Sequence, residues 1–146
     1  MLKAKEMGRV TVEIELANYQ DLTLANCGFM KPEQVRRARV NGVVDTGATR
    51  LVLPQSAVDQ LGLPFVGEMK VRYADNRTAS RKLVKDVQLR LLDRESTFNA
   101  VVEPDRADAL IGAIVMEDLD LVVDCSAQTV RYRDPEGLMS EIEAVE

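Results

Sequence analysis

The opening of the chain alternates between aliphatic and polar residues. From Val10 to Leu16 every second side chain is aliphatic, and this period of two predicts a β-strand with one apolar face. A shorter run follows at 21–25, and the segment 35–44 is again strand-like. Asn41-Gly42 lies inside that segment. Because both residues tolerate positive φ, the pair predicts a tight hairpin turn with a very short second arm.

The rest of the chain predicts further strands joined by short helices and turns. The apolar triplet Leu51-Val52-Leu53 is followed by a short helix at 57–61, which Gly62 closes. Two aliphatic segments, at 66–73 and 78–92, flank a polar tip and predict a projecting hairpin. The remaining predicted elements are strands at 97–102, 121–124 and 129–132 and one or two helical turns at 113–118.

The last residues form an acidic tail. The turn-like sequence Asp-Pro-Glu-Gly at 134–137 predicts a break. After it, Leu138, Met139, Ile142 and Val145 fall at helical spacing among glutamates, which is typical of a short amphipathic helix or of a frayed end. The predicted organisation is therefore one domain over residues 1–134 and a short tail over 135–146.

Length and charge narrow the class of protein. The 146 residues suffice for one domain with one core. Nineteen Lys and Arg stand against 24 Asp and Glu, a net charge of −5, so the chain lacks the basic excess that nucleic acids and anionic membranes attract. No apolar stretch approaches the roughly 18 residues of a membrane span, and the charged start has no secretory apolar run. We expect a cytoplasmic protein.

The side chains available for catalysis are mainly carboxylates. The sequence contains no histidine, which excludes the Ser-His-Asp and Cys-His mechanisms and most zinc sites. Its two cysteines, Cys27 and Cys125, are too few for a metal cluster. We interpret them as buried or incidental thiols, with one long-range disulfide as the alternative. No catalytic metal and no cofactor is expected.

One short loop concentrates the candidate chemistry. Asp45-Thr46-Gly47-Ala48 follows two β-branched residues and precedes the apolar triplet. The pattern predicts a sharp loop of small residues that leads from a strand into the interior, an unusual place for a carboxylate. An Asx-turn, in which the Asp45 side chain only caps backbone N–H groups, explains the same residues without any catalytic role.

The order of four motifs resembles the retropepsin-like aspartic peptidases, the single-domain relatives of retroviral proteases and of each half of pepsin. The resemblance covers about residues 10–132, and it includes features of bacterial members. The motifs are the active-site loop Val43-Val44-Asp45-Thr46-Gly47-Ala48-Thr49, the segments Leu51-Val52-Leu53-Pro54 and Leu61-Gly62-Leu63 after it, a flap tip at Tyr73-Ala74-Asp75-Asn76-Arg77, and Ala109-Leu110-Ile111-Gly112 before a helix.

The resemblance implies a mostly β, pepsin-like closed barrel with one or two short helices and one D-T-G lobe per chain. Such peptidases use two carboxylates around one water, and this sequence holds one D-T-G. The resemblance therefore implies a homodimer in which Asp45 of each copy is catalytic. It also implies an aspartic endopeptidase that hydrolyses peptide bonds without an acyl-enzyme, with peptides or proteins as substrates and a second copy as partner.

The resemblance also assigns supporting roles. Thr46 bonds across the dimer axis, the Gly47 N–H orients the carboxylate, and Ala48 lacks the hydroxyl of other members, so activity is expected to extend toward neutral pH. The flap is expected at Tyr73, Ala74, Asp75 and Asn76, where Asn76 replaces the usual Gly. Leu110, Ile111 and Gly112 are expected to pack on the active-site loop, because Gly lets two backbones touch. Residues that could line subsites are Arg50, Tyr73, Ala74, Asp75 and Ile114.

Two other interpretations stay open at this point. The first is a retropepsin-like dimerisation or peptide-binding module with little or no turnover. The unusual flap tip and a tail that could obstruct the site favour this alternative. The second is a generic β domain with an Asx-turn at Asp45, which a stable monomer would support. The intact D-T-G-A favours the enzyme, because a binding module has no evident use for two facing carboxylates.

Overall fold

The computed structural model describes residues 9–144. Strands dominate this range, and most of them fall where the alternation of aliphatic residues predicts. In chain order the elements are β1 (Val10–Asn18), α1 (Tyr19–Asn26), a 3₁₀ turn (Pro32–Gln34), β2 (Arg37–Val44), β3 (Leu51–Pro54), α2 (Gln55–Leu61), β4 (Phe65–Arg72), β5 (Thr78–Leu91), β6 (Arg94–Glu103), β7 (Ala109–Ile111), α3 (Ala113–Asp118), β8 (Leu121–Asp124) and β9 (Thr129–Tyr132).

Six of the strands close into a barrel. Their order is β1-β2-β7-β3-β6-β5, and β5 pairs back onto β1. The pairs β2–β7 and β3–β6 are parallel, whereas the other barrel pairs are antiparallel. Closure leaves none of these six strands at an open edge, whereas β4, which pairs with β5, lies at the edge of the sheet. The predicted mostly β closed barrel with a few short helices is confirmed.

The barrel interior holds the aliphatic half of each alternating strand. Ile14, Leu53, Leu89 and Ile111 are completely buried, and they come from four different strands. The two-strand sheet of β8 and β9 packs beside the barrel and adds Leu121 and other side chains to the same core. Burial of these aliphatic side chains provides the main driving force for the fold.

The prediction of a hairpin turn at Asn41-Gly42 is wrong. β2 runs straight through both residues and pairs with β1 without a break in register. Gly42 also pairs with Ala109 of β7 on the other side, and a Cβ at Gly42 would come within 2.7 Å of the Ile111 Cδ1 atom. Gly42 therefore supplies space for Ile111 instead of a turn, and strand pairing on both sides overrides the local turn preference.

The run at 21–25 belongs to a helix, α1. Asn18 begins it, because the Asn18 Oδ1 atom accepts a hydrogen bond from the Asp21 N–H at 3.0 Å. The buried Asp21 carboxylate accepts hydrogen bonds from Arg36 Nε at 2.8 Å and Arg36 Nη2 at 3.0 Å. These side-chain bonds from Arg36 lower the pKa of Asp21. This ion pair connects α1 to the chain just before β2.

The tail contains no helix in its described part. Residues 138–144 have no regular secondary structure, so the helical alternative is wrong there, and residues 145 and 146 lie outside the described residues. The start of the tail is held in place, because the Met139 N–H donates to Asp120 Oδ2 at 3.1 Å and Arg133 Nη2 donates to the Met139 carbonyl at 2.9 Å. A hydrogen bond from Arg133 also lowers the pKa of the buried Asp120.

The two cysteines are on the surface and are not bonded to each other. Cys27 and Cys125 are free thiols, and both are exposed. The interpretation as buried thiols is therefore wrong, as is the disulfide, and the interpretation as incidental thiols remains. Both follow the end of a regular element, where no core surrounds them. Within residues 9–144, no helix is long and apolar enough to cross a membrane.

Candidate active site

The D-T-G loop forms a tight turn at the end of β2. The Asp45 N–H donates to the Ile111 carbonyl at 3.0 Å, and the Ala48 N–H donates to the Asp45 carbonyl at 3.1 Å. The Gly47 N–H donates to Asp45 Oδ1 at 2.9 Å, which holds the carboxylate in one orientation. Asp45, Thr46 and Gly47 are all exposed. The expectation that the loop leads into the interior is therefore wrong for the single chain.

A glycine brings a second segment against this loop. A Cβ at Gly112 would lie 2.5 Å from the Arg50 carbonyl oxygen and 2.7 Å from the Thr49 carbonyl carbon. The backbone φ of Gly112 is −85°, which any residue adopts, so the position requires glycine because of space and not because of strain. The predicted close approach of the two backbones at Gly112 is present.

The first turn of α3 completes this contact. The Ala113 N–H donates to the Ala48 carbonyl at 2.8 Å, and the Ile114 N–H donates to the Thr49 carbonyl at 2.9 Å. Leu110 and Ile111 of β7 pair in parallel with Val43 and Val44 of β2. The loop that carries Asp45 is thus fixed by β7 on one side and by the start of α3 on the other.

The predicted projecting hairpin is formed by β4 and β5. At its tip the Asn76 N–H donates to the Tyr73 carbonyl at 2.9 Å, and the Tyr73 N–H donates to the Arg77 carbonyl at 2.8 Å. Asn76 has a φ of 68°, in the left-handed region that Asn tolerates better than most residues. Asn76 can therefore occupy the turn position at which retropepsin-like peptidases usually have Gly.

Tyr73 connects the hairpin to the barrel. Its hydroxyl donates to Glu103 Oε2 at 2.7 Å, and Arg81 Nε donates to Glu103 Oε1 at 2.7 Å and to the Tyr73 hydroxyl at 3.1 Å. Burial raises the pKa of the Tyr73 phenol, and the hydrogen bond to Glu103 adds to this increase. The hydrogen bond with Glu103 raises the pKa of Arg81. The start of the hairpin tip is therefore tied, through Tyr73, to a satisfied ionic cluster at the end of β6.

A cleft of about 750 Å³ lies between the D-T-G loop and the hairpin. Gly47, Ala48, Tyr73 and Leu110 are the predicted site residues that line it, and Arg50 is one of the predicted subsite residues that does so. Thr49, Val52 and Arg77, which belong to the motifs of the resemblance, also line it. The lining residues that the sequence did not suggest are Met69, Val71, Arg72, Arg81, Val101, Glu103, Asp105 and Arg106.

Some of the cleft residues that the sequence analysis did not identify could have been predicted from the pattern of the sequence. Met69 and Val71 alternate along β4 with exposed neighbours, and that alternation could have placed both on the cleft face. Glu103 and Arg106 carried no such signal, because only the parallel pairing of β3 with β6 brings the end of β6 to the cleft. Three subsite candidates, Ala74, Asp75 and Ile114, do not line the cleft of the single chain, and their role in subsites stays a prediction.

The described residues hold no group of three or more His, Cys, Asp or Glu side chains that could bind a metal ion. Two carboxylates, Glu103 and Asp105, and five arginines line the cleft, and Asp45 lies in the loop beside it. Asp45 is the carboxylate that the loop geometry orients, through the bond from Gly47. A carboxylate of this kind can accept a proton from water or donate one to a carbonyl oxygen.

Sequence comparison shows the family. A family model described as aspartyl protease matches residues 34–115, more than half of the chain, including the D-T-G loop, the hairpin and Gly112. The chain therefore belongs to the aspartyl protease family, and it is an aspartic-type peptidase of the retropepsin-like group. No curated protein matches its sequence.

Structural comparison agrees on the fold. The EIAV protease complexed with the inhibitor HBY-793 matches with a TM-score of 0.56 and 15% identity, over 82% of this chain and 94% of that chain. The foamy viral protease-reverse transcriptase in complex with an RNA/DNA hybrid matches with a TM-score of 0.45 and 18% identity, over 54% of this chain and 10% of that chain. The likeness to the EIAV protease shows that the barrel has the retroviral protease fold.

Proposed function

We propose that the protein is an aspartic endopeptidase whose active site forms between two copies of the chain. The observation that carries this proposal is that the Asp45 carboxylate is both oriented and exposed. Its carboxylate is oriented by the Gly47 N–H, yet it is exposed at the end of β2. A second Asp45 across a twofold axis would cover this exposed loop and supply the second carboxylate that water activation requires.

In this mechanism the two Asp45 side chains share one proton and hold a water between them. The ionised carboxylate takes a proton from the water, whose oxygen attacks the peptide carbonyl carbon, while the protonated carboxyl hydrogen-bonds the carbonyl oxygen. The tetrahedral intermediate then collapses as a proton passes to the amide nitrogen and the C–N bond breaks. No covalent acyl-enzyme forms.

The neighbouring residues support this chemistry. Thr46 bonds across the axis and keeps the two loops rigid, and Gly47 orients the carboxylate within its own subunit. Leu110, Ile111 and Gly112 hold the loop in place by packing and pairing against its backbone, and Ala48 is the last residue of the loop. The cleft volume of about 750 Å³ is sufficient for several side chains of an extended peptide.

The flap is formed by Tyr73, Ala74, Asp75 and Asn76 at the tip of the β4–β5 hairpin. It closes over the peptide and pairs with its backbone in a β-like manner, which excludes water from the reaction. Tyr73 lines the cleft itself. Its bond to Glu103 supports this part of the proposal, because it holds one side of the hairpin tip at the edge of the cleft.

The partners in this proposal are a second copy of the chain and a peptide or protein substrate. The protease domain spans residues 1–134, with 135–146 as a tail, in keeping with a last strand that ends at Tyr132. The cytoplasm is the proposed location, since two exposed free thiols suit a reducing compartment.

The test is cleavage of an unbiased peptide library from about pH 3 to 8, with sedimentation of the same samples. We expect a dimer that cleaves peptides, and loss of cleavage in Asp45→Asn while the dimer persists. The matched control is Asp118→Asn, which makes the same change at an exposed carboxylate at the end of α3 and should leave cleavage unchanged.

Three outcomes would contradict the proposal. If the Asp45→Asn variant still cleaves peptides, Asp45 is not the catalytic carboxylate. A monomer at micromolar concentration would undo the two-carboxylate mechanism. A wild-type dimer that binds peptides and cleaves none across this pH range would instead identify a dimerisation or peptide-binding module.

A further inference from the structure

The cleft next to the D-T-G loop concentrates positive charge on a chain that is acidic overall. The chain has a net charge of −5. Among the residues that line the cleft, two are carboxylates, Glu103 and Asp105. Five are arginines, namely Arg50, Arg72, Arg77, Arg81 and Arg106. The local excess of cations is therefore opposite in sign to the charge of the whole protein.

Two of these arginines are already neutralised. Arg81 Nε lies 2.7 Å from Glu103 Oε1, in a pair whose side chains are 26% and 14% exposed. Arg77 Nε lies 2.6 Å from Asp75 Oδ2. Neither guanidinium is free to recognise a ligand charge without first giving up its partner.

The other three arginines are not neutralised. Within residues 9–144, Arg50 and Arg72 form no ion pair, and Arg106 donates its Nε to the backbone carbonyl of Asp108 at 3.0 Å, which leaves its charge uncompensated. Asp105 is the lining carboxylate left to oppose them, and it is exposed. The cleft thus carries three unpaired guanidinium groups against one unpaired carboxylate.

The position of two of these groups suits recognition of a substrate. Arg50 follows the catalytic loop by a few residues, and its backbone is fixed against Gly112. Arg50 and Arg106 are half-buried, whereas Arg72 is exposed at the end of β4. Charges that are partly withdrawn from water are screened less than exposed ones. Arg50 and Arg106 are therefore the stronger candidates for direct contact.

The surface around these charges is apolar. Val52, Val101 and Leu110 line the barrel side of the cleft, and Met69 and Val71 line the hairpin side. A peptide that fills the cleft would meet aliphatic side chains and guanidinium groups together. An entirely apolar peptide would leave the guanidinium groups partly desolvated and without a partner, which costs free energy.

We propose that the cleft selects peptides that carry a Glu or Asp side chain close to an apolar one, with Arg50 and Arg106 binding the substrate carboxylate. The planar guanidinium can donate two parallel N–H bonds to a carboxylate, which gives direction as well as attraction. Exposed Arg72 adds to the attraction of acidic peptides before they bind. This inference rests on the proposed function, because it assigns a substrate class to the same site.

The direct test is kcat/KM of the wild-type dimer for matched peptides that differ only in having Glu, Gln or Lys at one position, scanned along the peptide at about pH 6, where Glu is ionised. At one position at least, we expect Glu to exceed Gln by about tenfold, the effect of one charge-assisted hydrogen bond, with Lys the poorest. This preference should shrink when salt is raised from about 0.05 to 0.5 M.

Variants assign the preference to residues. Arg50→Gln or Arg106→Gln should reduce the Glu-to-Gln ratio toward one while the Gln peptide is still cleaved, and Arg50→Lys should keep part of the preference. The matched control is Arg39→Gln, which removes the same charge from the exposed pair with Glu15, outside the cleft. It should leave the ratio unchanged.

The outcomes separate this inference from the proposed function. If no peptide is cleaved, the proposed function fails. If peptides are cleaved and Gln equals or exceeds Glu at every position, the acidic preference is overturned and the peptidase stands. If Arg39→Gln lowers the ratio as much as Arg50→Gln does, overall charge and not the cleft causes the preference, which also overturns the inference. Should a cleft variant fail to fold by circular dichroism, the wild-type ratio and its salt dependence decide.

Discussion

Replacement of Gly112 by alanine tests whether one backbone contact sets the position of the D-T-G loop. The new Cβ would lie 2.5 Å from the Arg50 carbonyl oxygen and 2.8 Å from the Arg50 nitrogen. An ordinary contact needs 3.4 Å or more, so the segments must separate by about 0.9 Å. Both neighbours are backbone atoms, which no side-chain rotation can move away.

The expected magnitude follows from this separation. Overpacking of a close-packed site costs about 1–3 kcal/mol. The separation also stretches the two bonds from Ala113 and Ile114 to the loop carbonyls, each worth about 1 kcal/mol. We expect Gly112→Ala to lose about 2–4 kcal/mol of unfolding free energy. A displacement near 1 Å of the group that carries Asp45 should lower kcat/KM by about 100-fold.

The assays are urea unfolding followed by circular dichroism, at one fixed protein concentration because dimerisation is linked to stability, and peptide cleavage by the folded variant. Gly67→Ala is the matched control, since a Cβ there meets nothing within 4 Å. It should change stability by no more than about 0.5 kcal/mol. Wild-type stability and cleavage in Gly112→Ala would refute the idea that this contact positions the loop.

Three further perturbations have defined outcomes. Asp21→Asn breaks the pair with half-exposed Arg36 and should cost about 1–2 kcal/mol at neutral pH. Because the pKa of Asp21 is below its ordinary 3.8, this contribution is present above that pH and disappears as pH falls through the lower folded value, so the difference between the urea curves of wild type and variant should shrink as the pH is lowered below 3.8. Tyr73→Phe removes the bond to Glu103 and should raise KM about fivefold at similar kcat, since the flap loses about 1 kcal/mol of anchoring; an unchanged KM would exclude this role. Removal of residues 138–146 should change either dimer affinity by sedimentation or cleavage rate, and if neither moves the tail is a solvated end.

The local pattern of residues was sufficient for most elements of the fold. The period of two at 10–16 predicted β1, and the aliphatic arms around the polar tip predicted the β4–β5 hairpin. Pro54 before the helix and Gly62 after it marked α2. These signals are local, because a strand alternates and a helix ends for reasons contained in a few neighbouring residues. The D-T-G-A loop and Gly112 were recognisable for the same reason.

Long-range pairing decided what the local pattern could not. Asn41-Gly42 has the best local turn chemistry in the chain, yet β1 and β7 pair on both sides of it and keep it in a strand. The exposure of Asp45 and of both cysteines also depends on which surfaces neighbouring elements leave uncovered. Burial is a property of the assembled barrel, so no short window of sequence contains it.

The cleft illustrates the same division between sequence and tertiary structure. The sequence by itself determined the carboxylate chemistry, because it contains one D-T-G and no histidine. Only the tertiary structure decided which arginines line the cleft beside the D-T-G loop. Arg50 and Arg106 are 56 positions apart in the sequence, and the pairing of β7 with β2 and β3 together with that of β3 with β6 brings them to one cleft. Their charges act together because a closed barrel converts distant strand ends into neighbours.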